Sequence, residues 1–330
     1  MARVLLTTAQ PGNPADKGWL FGPYELLLAS AQLAGGGKHQ LTDGPHDADI
    51  ILFTDSGPDV ACRTLRKTAL YQRYFWKCFV HAQDDQPLAL LPGVYASIEK
   101  RWHDPLWTRS GFYVHSAESG RFDFQPFNQD AKWLFSFVGS CSNAPVRGRL
   151  ADLRHPRFHM EDTSGKIIPA YTSGDAEAIA RLNNSYCEII RESKFVLCPR
   201  GVGCSSLRIF EVMAMGRCPV ILSDEWVPPD GPQWNLCSLR IPESSVATLP
   251  AILGQYEADA GKMGLLARGE WERWFSEKAL FETVVDWCLA IRDAGKCGDR
   301  WFRAARYLQL LRPFHLRSYL RNLKNAALKK

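Results

Sequence analysis

No apolar run in the chain approaches the ~20 residues that a bilayer-crossing helix needs, so an integral membrane protein built of helices is not expected. No two of its ten cysteines stand at Cys-x-x-Cys spacing, which removes the common zinc and dithiol signatures. Several sit inside apolar runs, such as Cys78 in WKCFV, Cys198 in FVLCP and Cys218 in RCPVIL. All ten are therefore read as small buried hydrophobes in a reducing compartment, and no metal is expected. The Gly-Lys-Ser/Thr ending of a Walker loop and the full Gly-x-Gly-x-x-Gly fingerprint are both missing, which argues against ATPase and dehydrogenase readings. Acidic residues are missing from residues 300–330, which carry nine Lys and Arg and no Asp or Glu.

Setting those nine aside leaves 31 of the 40 basic residues against 35 acidic ones, so the body is net −4 and the tail +9. A nucleic-acid binder whose affinity comes from a broad basic face does not fit that distribution, and no nucleic-acid partner is expected. With 46% hydrophobic and 23% charged residues the chain is globular in composition. Its 330 residues suggest two domains of roughly 150 residues each. The start, MARVLLTTAQPG, looks like a strand rather than a signal peptide. It predicts a protein that begins and stays in the cytoplasm.

Short apolar runs alternate with helical patterns along the first half. Val4–Thr8, Ile50–Thr54, Cys78–His81 and Leu88–Leu91 read as strands, and Tyr24–Leu33 and the stretch near Leu65–Phe75 as helices. That alternation predicts βα units on a largely parallel sheet. Residues 96–130 read as loop. A fresh sheet begins at Trp133–Val138, which puts the domain boundary near residue 132. The expected division is 1–132, 133–299, and a basic helical tail at 300–330.

The most informative stretch runs from Phe195 to Asp224 as strand, glycine loop, helix, strand. Gly201 and Gly203 are expected to let the backbone turn sharply and approach a ligand. Ser205 or Ser206 is expected to cap a helix whose exposed N–H groups favour an anion. With Arg200 before the glycines and Arg208 one turn into the helix, the segment reads as a diphosphate cradle. Glu211 follows Arg208 by three positions and shares its helix face. A carboxylate beside a phosphate site is explained if it accepts hydrogen bonds from ribose hydroxyls.

The stretch SKFVLCPRGVGCSSLRIFEVMAMGRCPVILSD resembles the nucleotide-sugar signature of the exostosin-like glycosyltransferases. KWLFSFVGS with Arg147 looks like the start of that family's C-terminal domain, and LPGVYASI (91–98) resembles a segment of its compact bacterial members. The resemblance is dense over about 133–245. It implies an α/β fold of GT-B type, two Rossmann-like domains facing across a cleft. It also implies metal-independent, usually inverting, transfer from a UDP- or GDP-linked sugar to a glycan or lipid-linked acceptor in surface polysaccharide assembly. By position, Arg200 and Arg208 would contact the diphosphate and Glu211 the ribose. Retaining GT-B enzymes commonly carry a second glutamate eight residues before the equivalent of Glu211; Gly203 stands there, which favours inversion. A catalytically silent nucleotide- or glycan-binding subunit of the same fold is the alternative.

Inverting transfer needs a general base for the acceptor hydroxyl and positive groups for the leaving diphosphate. Arg200, Arg208, the helix N-terminus and Arg147 are the expected positive groups. The base is expected from the first domain: Asp55 after ILFT first, then Asp85 or Asp84 after FVHAQ, with His81, His103 and His115 as further candidates. Asp224 and Glu243 have weaker claims near the donor. Trp102 and Trp107 are candidate sugar-stacking platforms. In the tail, Leu316, Leu320, Leu323 and Ala327 recur at helical spacing with a basic residue after most of them. Residues 314–330 thus predict a basic amphipathic helix that would hold the protein peripherally on an anionic cytoplasmic leaflet.

Overall fold

The apolar pentads and hexads of the first third become strands of one parallel sheet. They are β1 (Arg3–Thr7), β2 (Gln40–Leu41), β3 (Ile50–Asp55), β4 (Cys78–Ala82), β5 (Gly93–Tyr95) and β6 (Thr108–Ser110), in the order β2-β1-β3-β4-β5-β6. Every pairing is parallel. In β3, Ile50 to Phe53 are at most 1% exposed, as expected of a strand covered on both faces. This description comes from a computed structural model. It covers the chain except residues 10–21, 34, 36, 56–63, 118–121, 167–168, 170–171, 312, 314–315, 318–319 and 321–330, and gives only the backbone of Asp55.

A second parallel sheet follows, in the order β11-β10-β9-β7-β8. Its strands are β7 (Trp133–Gly139), β8 (Phe158–Asp162), β9 (Ser193–Pro199), β10 (Cys218–Leu222) and β11 (Leu239–Arg240). Two Rossmann-like parallel sheets in one chain make it α/β.

The units divide the chain as Met1–His115, Val227–Asp230 and Glu277–Lys330 against Ser116–Trp226 and Gly231–Ser276. This differs from the expected cuts at 132 and 299. The helix Glu277–Asp293 belongs to the first unit because its partners are there. Phe281 N donates to Ser30 Oγ at 2.9 Å, and Asp286 Oδ1 meets Lys38 Nζ at 2.6 Å and His39 Nε2 at 3.0 Å. Such pairings span more than 240 residues of sequence and leave no local trace. The described part of the tail also packs on the first unit. Phe302 meets Trp107 edge-on at 5.6 Å, and Arg306 pairs with Asp104. Of the helix expected at 314–330, only residues 316, 317 and 320 are described.

Two local readings change. Leu88–Leu91, expected as a strand, is a buried run that forms none, and Gly93–Tyr95 pairs with β4 instead. Residues 96–130, expected as loop, contain β6. The nine described cysteines form no disulfide, and eight of them are buried. Among the described residues, no helix is long and apolar enough to cross a membrane.

Candidate functional site at the ends of two parallel strands

In the second sheet the strand order reverses between β7 and β9, and parallel α/β sheets bind ligands outside the carboxyl ends of the strands at such a point. Helix α1 (Pro145–Leu150) starts just after β7, and helix α2 (Leu207–Ala214) follows the loop after β9. The sequence's donor-side residues fall on these elements. Arg147 lies on α1; Arg200, Gly201, Gly203, Ser205 and Ser206 on the loop; Arg208 and Glu211 on α2.

Arg147 is 5% exposed and its guanidinium is turned onto backbone carbonyls. Nε donates to Arg200 O at 2.8 Å, Nη1 to Ser140 O at 3.2 Å and Nη2 to Pro199 O at 3.2 Å. It ties the end of β7 to the end of β9. Arg208 Nε donates to Val138 O at 2.7 Å, and its guanidinium lies 5.2 Å over the Phe137 ring. A Cβ on Gly139 would overlap Arg208 Nη2, so a glycine there is what lets the arginine cross the strand end.

Gly201 and Gly203 do not adopt positive φ. The expected conformational reason is therefore replaced at Gly201 by a spatial one, since a Cβ there would lie 3.3 Å from Arg147 Nη2. Ser206 is the N-cap of α2, yet its side chain makes no capping hydrogen bond. It is 4% exposed, and its Oγ has no hydrogen-bond partner. Ser205, 3% exposed, lies beside it. The first turn of α2 thus offers backbone N–H groups and a buried hydroxyl, with Arg200 and Arg208 flanking them in sequence.

Glu211 is 4% exposed and its Oε2 accepts from Tyr186 Oη at 2.6 Å. Tyr186 comes from helix α3 (Ala176–Arg191), and burial beside that carboxylate pushes its phenol far above its usual range, so it stays a donor. The sequence reading missed this tyrosine, because nothing in a single helix pattern says which distant carboxylate it faces. Arg200 Nε pairs with Glu243 Oε1 at 2.7 Å, and Glu243 N donates to Asp224 Oδ1 at 3.0 Å. The structure thereby joins Asp224 and Glu243 to Arg200. A further group at the ends of β7 and β8 was missed: Asp162 accepts from Cys141 N, Ser164 N and Ser164 Oγ, which pull its carboxyl down to about 2. Among the described residues, no group of three His, Cys, Asp or Glu side chains could hold a metal ion.

The base candidates lie in the first unit. Asp55 ends β3, which neighbours β1 where that sheet's order reverses. Asp85 is exposed, and Tyr113 Oη donates to it at 2.5 Å. Asp84 is half-buried with an unpartnered Oδ2, and burial raises its carboxyl. Trp107 is 1% exposed, so it is core and no sugar platform; Trp102 is half-buried and donates to Glu99 at 3.0 Å. His103 bonds Thr108 Oγ1 at 2.9 Å and is lowered by burial.

His81 is fully buried in β4, 3.1 Å from Gln83 Nε2, and burial lowers it to about 4. The native imidazole then binds fewer protons than the unfolded one between about pH 6.5 and 4. Its neutral burial is fully compatible with stability above that window, and stability falls as pH drops through it, by up to about 1.4 kcal/mol per pH unit. Urea titrations from pH 7 to 4.5 should lose part of that slope in His81→Gln; an unchanged slope counts against the assignment.

Residues 107–256 match the Exostosin GT47 domain. Over that span the chain resembles exostosin. The matched span covers β7 to β11 with both arginine-bearing helices, so the family likeness and the strand-end site coincide. Exostosin-1 of Drosophila melanogaster is 24% identical over 190 residues, covering 52% of this chain and 24% of that protein. The Exostosin-1 homolog of Caenorhabditis elegans is 33% identical over 153 residues, covering 43% and 40%. The exostosin-like match thus spans well under half the length of these relatives. Solved structures similar to the chain include MurG of Acinetobacter baumannii (12% identical, TM-score 0.39, covering 88% of this chain and 99% of that one). HepE of Anabaena in complex with UDP is another (10% identical, TM-score 0.38, covering 87% and 99%).

Proposed function

We propose that the protein is a glycosyltransferase that takes a sugar from a UDP- or GDP-linked donor held by the loop between β9 and α2. The observation that carries this reading is the start of α2, where the buried Ser206 hydroxyl, between Arg200 and Arg208 in sequence, has no partner among the described residues and makes no capping bond. In this reading the diphosphate sits on that helix start, where Arg208, Arg200 and the Ser206 hydroxyl stabilise the charge that develops on the leaving group. Arg147 acts from behind, by holding the strand ends on which Arg200 and Gly201 stand. Glu211, oriented by Tyr186, receives the ribose hydroxyls.

Transfer is inverting and metal-independent in this proposal, with the acceptor a glycan or lipid-linked saccharide. The displacement then forms one bond from the acceptor oxygen to the anomeric carbon as the bond to the diphosphate breaks. The acceptor proton passes to a carboxylate of the first unit, Asp55 before Asp85 or Asp84.

The test is a panel of labelled UDP- and GDP-sugars assayed for binding, hydrolysis and transfer. Binding of one donor class with turnover supports the enzyme, and Asp55→Asn is expected to lower turnover at least 100-fold with donor affinity kept. Binding without any turnover selects the silent-subunit alternative, and no binding to any nucleotide sugar defeats both readings.

A further inference from the structure

The first unit contains a cavity of about 470 Å³, lined by side chains from two distant parts of the sequence. Arg66, Tyr71 and Phe75 come from the segment around helix Ala69–Tyr74; Arg300 and Arg303 come from helix Arg300–Ala305 at the start of the basic tail; Leu90 lies between. Three guanidinium groups therefore face one cavity, and no carboxylate among the described residues lines it.

The charges differ in how they are answered. Arg306, on the same tail, is paired with Asp104. Arg303 donates to Cys297 O at 2.9 Å and to the Tyr71 hydroxyl, which fixes it as part of the wall. Arg66 and Arg300 have no hydrogen-bond or ion-pair partner among the described residues. Arg66 is positioned nonetheless, 5.0 Å over the Tyr307 ring, and Arg303 lies 4.8 Å over Phe75. Tyr71 accepts from Arg303 and so keeps its own proton for donation, and burial raises its phenol enough to hold that proton. Convergent guanidinium groups without a carboxylate are costly to one another and bind phosphate oxygens strongly through charged hydrogen bonds. The volume is that of a small-ligand site.

We propose that this cavity binds a phosphate-bearing ligand, with Arg66, Arg300 and the Tyr71 hydroxyl on the phosphate and Phe75 and Leu90 against its apolar portion. The phosphate belongs either to a soluble ester or to an anionic lipid headgroup. This site does not depend on the donor reading, since it uses none of the same residues and lies in the other unit.

The experiment compares wild type, the double variant R66Q/R300Q and R208Q. Calorimetry with inorganic phosphate forms one arm; sedimentation with phosphatidic acid–phosphatidylcholine vesicles against phosphatidylcholine alone forms the other. The double variant is expected to weaken binding at least about tenfold in one arm, while R208Q keeps that binding. Loss in the calorimetric arm supports a soluble ester; loss confined to vesicles supports a headgroup. Wild-type-like binding by the double variant in both arms, or no binding by wild type in either, overturns the proposal. Both arginines are exposed, so thermal unfolding should be unchanged; were the double variant to unfold early, R66Q and R300Q singly carry the same comparison.

Discussion

Arg208→Gln is expected to weaken binding of the nucleotide-sugar donor about 100-fold, a loss of about 2.7 kcal/mol, with little change in thermal stability. The residue is half-exposed and spends one donor, Nε, on Val138 O at 2.7 Å. The rest of its planar fork is carried over Phe137 beside the first turn of α2. Hydrogen bonds to a charged group contribute roughly 1.5–3 kcal/mol each, so one or two such bonds to a diphosphate give the expected size. Two companion variants separate charge from position. Gly139→Ala keeps the arginine but displaces its guanidinium, because a Cβ would overlap Nη2, and should lose most of the same affinity. Glu211→Ala should weaken the full donor more than inorganic pyrophosphate, since its proposed partner is the ribose. Calorimetry with donor and with pyrophosphate reads all three, and donor affinity unchanged in Arg208→Gln would remove the diphosphate from this loop.

The second large effect is on stability. Arg147→Ala is expected to destabilise the second unit by roughly 2–4 kcal/mol, because removing a buried hydrogen-bonding partner leaves the opposing groups unpaired. The side chain holds the carbonyls of Arg200, Ser140 and Pro199 and is 5% exposed, so the variant loses three bonds and the packing of the stem. Denaturant unfolding should show the shift without any ligand. Arg208→Gln should shift the same curve far less, because Arg208 holds one backbone carbonyl where Arg147 holds three. Were Arg147→Ala to unfold like wild type while losing donor affinity, the strut assignment would fall, and direct donor contact by Arg147 would replace it.

These two arginines mark how far a sequence can be read. Both stand within the span that resembles the exostosin-like signature, and in sequence they have the same expected role. Their difference arises from where the chain brings the ends of β7 and β9 together: both guanidinium groups lie over the Phe137 ring, but one finds three carbonyls and the other finds one.

What the sequence by itself determined was local and periodic. Runs such as Ile50–Phe53 and Phe195–Cys198 are apolar at every position, which is the mark of a strand buried on both faces. The order strand, loop with two serines, helix was legible as far as the start of α2 at Leu207. β8 was not legible, because Phe158-His-Met-Glu-Asp162 is a half-exposed edge strand without an apolar signal. The reason for Gly201, the Tyr186–Glu211 pair, the return of helix Glu277–Asp293 to the first unit and the three arginines around one cavity were decided only by tertiary structure. Each depends on contacts between residues far apart in the chain, and periodicity carries information only about neighbours a few residues away.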